Sequence, residues 1–141
     1  MLNTKDIERL IPHREKIRII DEVTDIQETS AVGMAVVRPE WPLCAEDGVD
    51  ALVLIEGVAQ TAAVVEGYKR KQKGLDSVKG WLVGVKNAEF MVGKIPLNTK
   101  ITILIESKHS LENYGVVEGT VKSGDAVLAR MTLQAMILNK D

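Results

Sequence analysis

The segment from Val49 to Lys73 constrains this chain more than any other, because its residues are apolar or small at nearly every position between Ala51 and Val65. Its spacing and end signals predict one long helix. A carboxylate at Asp47 or Asp50 suits the positive end of a helix dipole. Lys69, Arg70, Lys71 and Lys73 complement the other end, and Gly74 follows as a stop signal. A helix apolar on nearly every face has to be buried on nearly every face, so the rest of the chain must wrap around it.

The remainder reads as the wrapping. From Lys16 to Ile26 the β-branched residues and partial alternation (Ile17, Ile19, Val23) predict a strand, and Ala31 to Val37 its neighbour across a turn at Glu28 to Ser30. Further strands are predicted at Lys79 to Phe90, Lys100 to Glu106, Tyr114 to Lys122 and Ala126 to Leu138, with turns at Leu97 to Thr99 and Lys122 to Asp125. A short helix is predicted from Thr4 to Leu10, stopped by Pro12. Pro39 to Asp47 has neither helix nor strand period and reads as a loop, of a length that often carries function. The expected architecture is α+β: a curved, mostly antiparallel sheet around one long central helix, in a single domain over residues 1–141.

Composition narrows the chemistry. The 141 residues carry 18 Lys plus Arg against 20 Asp plus Glu, a net charge of −2, which gives no general attraction to nucleic acid or an anionic membrane. Cys44 cannot form an internal disulfide, and with only His13 and His109 it cannot complete a usual structural zinc site. No phosphate loop, dinucleotide fingerprint or Gly-x-Ser-x-Gly elbow is present, so neither a metal nor an organic cofactor is expected. Asn3, Lys5, Asp6, Glu8 and Arg9 break a secretory pattern, and the expected compartment is the reducing cytoplasm.

Glu56 is the residue best placed for chemistry, since apolar neighbours flank it in Leu52-Val53-Leu54-Ile55-Glu56-Gly57-Val58-Ala59-Gln60. Burial raises a carboxyl pKa and makes it able to donate a proton near neutral pH. The other reading is structural: a carboxyl meeting a buried amide or a partner subunit. Gln60 lies one turn later on the same face, where it orients Glu56, binds a polar part of a ligand, or satisfies a loop backbone. The small residues Gly57, Ala59, Ala62 and Ala63 allow either close packing on a sheet or a narrow apolar channel. The basic run Lys69 to Lys73 reads as a solvated helix end or as a receiver for phosphates or an acidic carrier protein. His13 and His109 read as packing or hydrogen-bonding residues.

Several segments resemble, in order, the 3-hydroxyacyl-acyl-carrier-protein dehydratases of fatty acid synthesis, which have the hotdog fold. Ile11-Pro12-His13-Arg14 is similar to the family's opening Leu-Pro-His-Arg, and Asp21-Glu22-Val23 stands for its Asp-Arg-Val. Leu54 to Gln60 matches the central-helix motif Leu-x-Glu-x-x-Ala-Gln. Gly84 to Phe90 resembles Gly-Ile-Asp-x-Ala-Arg-Phe, and Ile95 to Ile101 resembles Val-x-Pro-Gly-Asp-x-Leu. The resemblance implies a homodimer or an assembly of dimers acting on an acyl thioester of acyl carrier protein or coenzyme A. Glu56 would be its acid–base carboxyl, with Gln60, Ala51, Trp41 and Pro42 contacting substrate, the Ala51 amide through the thioester carbonyl; Trp41 would either close the substrate tunnel or pack under the loop.

The family's loop histidine, in Gly-His-Phe-Pro, is replaced. The family interval from Glu56 reaches Pro42, within Glu40-Trp41-Pro42-Leu43, and the helix-start Met-Pro-Gly has become Val49-Asp50-Ala51. Loss of a general base typically costs about 10²- to 10⁴-fold in rate. This divergent pattern is similar to the dehydratase-like proteins of aryl polyene clusters, some of which act beside an active hotdog subunit. Two alternatives therefore stand with dehydration. One is a non-catalytic acyl-binding or heterodimer partner subunit; the other is a hotdog acyl thioesterase in which Glu56 activates water.

Overall fold

A computed structural model describes residues 18–74, 81–110 and 114–137. The helix expected at Thr4 to Leu10 and the residue His13 lie outside them. Among the described residues there are one long helix, α1 (Val53–Gln72), and nine strands. These are β1 (Glu22–Thr24), β2 (Ser30–Val36), β3 (Cys44–Ala45), β4 (Gly48–Asp50), β5 (Trp81–Phe90), β6 (Lys94–Pro96), β7 (Lys100–Ser110), β8 (Tyr114–Ser123) and β9 (Ala126–Ile137).

Six of the strands form one antiparallel sheet in the order β1-β2-β7-β8-β9-β5. Alternation sets its two faces. Along β2, Ala31, Gly33 and Ala35 are buried while Val32, Met34 and Val36 are half-buried, and β7 repeats the pattern with Ile101, Ile103 and Ile105 inward. The inward rows pack on α1, whose Val53, Leu54, Val58, Ala62, Ala63 and Val64 belong to the same core. The helix is buried on nearly all sides over its first four turns, as its composition requires.

The small residues serve close packing. A Cβ at Gly119 would stand 2.6 Å from Val58 Cγ1, and one at Gly33 2.6 Å from Thr61 Oγ1, so helix and sheet approach as nearly as bare backbone allows.

The long strands lie where the sequence places them, β7 running on to Ser110 past the expected Glu106, and the boundaries fail in three further places. Helix α1 begins at Val53 rather than Val49, because Gly48 to Asp50 pair as a strand with β6. Asp50 lies just ahead of the helix, its Oδ1 accepting from the N–H of the N-cap residue Leu52 at 2.9 Å, and no side chain caps the first turn itself. The expected loop from Pro39 to Asp47 contains β3, which joins β4 and β6 in a second, three-stranded sheet. Strands of two or three residues have too few positions to show a period. Of the expected first strand, Lys16 and Ile17 lie outside the described residues, and within the rest only Glu22–Thr24 forms a strand; Arg18 to Asp21 run outside the ladder. At the far end of α1, Lys73 N donates to Lys69 O and Arg70 O, and Gly74 takes φ +74°, the left-handed stop expected there.

Candidate active site

Glu56 and Gln60 lie one turn apart on α1 and meet. Gln60 Nε2 donates to Glu56 Oε2 at 2.9 Å. Gln60 is fully buried, and its Oε1 accepts from Ile19 N at 2.7 Å and Ile20 N at 3.3 Å. Two backbone donors on Oε1 leave the amide only one orientation, with its NH2 towards the carboxylate. Glu56 itself is half-buried, as is its neighbour Ile55, so the expected burial is only partial. The Gln60 donor holds one carboxylate oxygen in a fixed direction at this partly dry surface.

The residue after Gln60, Thr61, is turned to the sheet, is fully buried, and its Oγ1 donates to Gly57 O at 2.9 Å. The side chain thereby stays clear of Glu56 and fills the space facing Gly33.

The remaining expected site residues are dispersed. Ala51 is buried, and its N–H donates to Gly93 O at 3.0 Å, so the amide expected to meet a thioester carbonyl already has an acceptor inside the chain. Trp41 is 3% exposed and belongs to the hydrophobic core, beneath the loop rather than along an open surface. Its Nε1 is buried without a hydrogen-bond partner. Pro42 is exposed. Beside it Leu43 is 55% exposed with φ +63°, a conformation non-glycine residues rarely adopt.

A second polar cluster, absent from the sequence reading, borders the first. Arg38 Nη1 donates to Asp21 Oδ1 at 2.7 Å and Oδ2 at 2.9 Å, and Asp21 Oδ2 also accepts from Val36 N at 3.1 Å. The Arg38 guanidinium lies 5.6 Å from the Trp41 ring centroid. Arg18 Nη1 donates to Ile20 O at 2.9 Å. Residues 18–21 therefore stand between Gln60 on one side and the Arg38–Trp41 loop on the other. Asp21 was legible only as part of a motif, and Arg38 had no signal: these partners lie 17 residues apart.

The basic helix end is about 20 Å from Glu56, taking 1.5 Å per residue to Lys69. Lys69 Nζ donates to Glu28 O, tying the helix end to the β1–β2 turn. His109 sits on β7 opposite Val116. Among the described residues no group of three or more His, Cys, Asp or Glu converges as a metal-ligand set, and no helix is long and apolar enough to cross a membrane.

Comparison with known proteins adds the family. The model of the ApeP-like family, described as ApeP dehydratase, matches residues 5–140. The 3-hydroxyacyl-[acyl-carrier-protein] dehydratase FabZ of Allorhizobium ampelinum is 26% identical over 147 residues, spanning 96% of this chain and 90% of the relative. The FabZ of Clostridium botulinum is 28% identical over 142 residues, 92% of this chain and 93% of the relative. Among solved structures, the dehydratase heterocomplex ApeI:P from Xenorhabdus doucetiae superposes with a TM-score of 0.88 at 19% identity, covering 95% of this chain and 91% of that one. The order of strands around one enclosed helix is thus that of the hotdog fold, and the chain belongs to the ApeP-like dehydratase family.

Proposed function

We propose that this chain forms one side of a 3-hydroxyacyl-thioester dehydratase site, with Glu56 as its proton-transferring carboxyl and Gln60 as the residue that orients it. The observation that carries this reading is the fixed Gln60 amide, whose Nε2 donates to Glu56 Oε2 while its Oε1 is held by two backbone amides. Elimination removes a proton from the α-carbon and hydroxide from the β-carbon. The acid form of Glu56 gives its proton to the departing hydroxyl, which leaves as water, while a base on a second chain takes the α-proton. The substrate is an acyl thioester of acyl carrier protein or coenzyme A, in keeping with the substrate named for the FabZ relatives.

A second chain completes the site. Strand β5 lies at one edge of the large sheet, and Val85, Lys86 and Asn87 are exposed on it. A long open edge is a ready template for another strand, and pairing there makes a homodimer, the unit of a larger assembly, or a heterodimer. Pro42 at the loop position favours the heterodimer with an active hotdog subunit, since no histidine occurs between His13 and His109. In that second reading the chain itself is a non-catalytic half.

The test is hydration of a crotonyl thioester, the reverse reaction, by the purified protein and by Glu56→Gln. The expected result is turnover that falls by about 10²-fold or more in the variant. Absence of hydration in the homomeric protein, with recovery on adding a co-purifying hotdog subunit that Glu56→Gln does not impair, selects the second reading. Release of free thiol in place of hydration overturns dehydration in favour of thioester hydrolysis.

A further inference from the structure

We infer that Arg38 is a positioning residue for Glu56, acting through Asp21 and the backbone of residues 18–20. This rests on the reading of Glu56 as the reacting carboxyl, and goes beyond it by assigning a role to a cluster outside the helix.

The argument begins with what residues 18–20 lack. They belong to no strand, so the amides of Ile19 and Ile20, both in fully buried residues, have no ladder acceptor. Gln60 Oε1 takes both. The direction of the Gln60 amide, and with it the donor to Glu56, therefore depends on where this short segment is held. The segment is anchored at its C-terminal end by Asp21, whose N–H donates to Met34 O at 3.0 Å and whose carboxylate accepts from Val36 N. Arg38 grips both oxygens of that carboxylate.

An isolated, partly exposed ion pair contributes little to stability. This one differs in being tied at both ends. Asp21 is fixed by the β2 backbone, while Arg38 lies over the buried Trp41 ring, and Trp41 N donates to Arg38 O at 3.1 Å. The loop that carries Trp41 and Pro42 and the helix that carries Glu56 are thus joined through one continuous polar chain: Trp41, Arg38, Asp21, the amides at 19 and 20, Gln60, Glu56. The chemistry of the brace is specific. Lysine at 38 would keep the charge but lose the planar group that lies over Trp41.

The measurement follows the side-chain amide protons of Gln60 by nuclear magnetic resonance in the full chain, which needs no turnover. Arg38→Met is expected to speed their exchange about tenfold or more, with Arg38→Lys and Asp21→Asn each giving a smaller but clear increase. Exchange within about twofold of the starting protein in all three variants, with dispersed spectra showing that they remain folded, overturns the inference. A crotonyl-thioester assay, where turnover is present, adds a second reading: Arg38→Met lowers kcat, leaves KM unchanged, and has no further effect in the Glu56→Gln background. A raised KM with unaltered kcat overturns positioning, because it marks Arg38 as a direct substrate contact. If Glu56→Gln leaves activity intact, the proposed function fails, and the Gln60 exchange rates still decide whether the brace exists.

Discussion

Two polar clusters on this chain each set a nitrogen donor against a glutamate carboxylate and have different surroundings. The inner one joins Gln60, Glu56 and the amides of Ile19 and Ile20 beside the helix core. The outer one, on the solvent side of the sheet, sets Lys108 Nζ 3.2 Å from Glu106 and 3.8 Å from Glu118. Both are well formed on distance alone. In the outer cluster every side chain is roughly half exposed, so water competes for each charge and salt screens the rest. In the inner cluster Gln60 is shut off from water, and a lost partner leaves a buried group with nothing to replace it. Burial, rather than the number of contacts, separates a cluster that fixes a geometry from one that decorates a surface.

The largest effect is expected from Gln60→Leu, which breaks the inner cluster outright. It removes the acceptor for two buried amides and the donor to Glu56, and is expected to cost about 3 kcal/mol or more in urea unfolding. Gln60→Glu sharpens the comparison, since it keeps an acceptor for both amides while replacing the donor facing Glu56 with a second carboxylate. It is expected to destabilise less than Gln60→Leu and to impair turnover as severely as Glu56→Gln. Equal destabilisation by the two Gln60 variants would refute the division of labour between the oxygen and the nitrogen of this side chain.

A smaller effect comes from the packing that keeps the inner region dry. Gly119→Ala places a Cβ 2.6 Å from Val58, and is expected to lower stability by about 1–3 kcal/mol by forcing helix and sheet apart. An unchanged unfolding midpoint would mean that the interface yields.

The smallest effects belong to the surface. Lys108→Ala is expected to leave the unfolding midpoint unchanged within error at physiological salt, and any loss at low salt should vanish as salt is added. The pH dependence has a definite sign. Glu106, with Glu118 adding to it, holds the Lys108 ammonium above the ordinary lysine value of 10.5. Its contribution is therefore complete below that value and is lost as pH rises through the folded one. Asp47 behaves oppositely. Lys94 holds its carboxyl below the ordinary 3.8, so its contribution is present above that value and is lost as pH falls through the folded one. Melting curves of Lys108→Ala and Asp47→Asn at the two pH extremes check both signs; a Lys108→Ala difference confined to alkaline pH would reverse the first.

Much of this organisation was legible along the chain. The long helix announced itself by composition, and Gly74 marked its end. Glu56 and Gln60 were legible as a pair because four residues on a helix bring side chains onto one face. The misplaced helix start has a plain cause: Val49, Asp50 and Ala51 suit a first turn, yet β6 offers Gly48 to Asp50 a strand partner from more than forty residues away. Trp41 between two prolines could be read as closing a tunnel or as packing under the loop, and the burial that decides for packing depends on core residues spread over the chain. The Ala51 amide looked available because its acceptor, Gly93, is equally distant in sequence.

By itself, then, the sequence determined that one apolar helix must be enclosed by strands and that a carboxylate and an amide share a face of it. These features follow from periodicity and short-range spacing, which any segment carries within itself. Only the tertiary structure decided which way the Gln60 amide points, that Ala51 is already engaged, and that Asp21 and Arg38 border the site. Each of those depends on groups brought together from remote parts of the chain, whose hydrogen bonds become specific only where folding has excluded water.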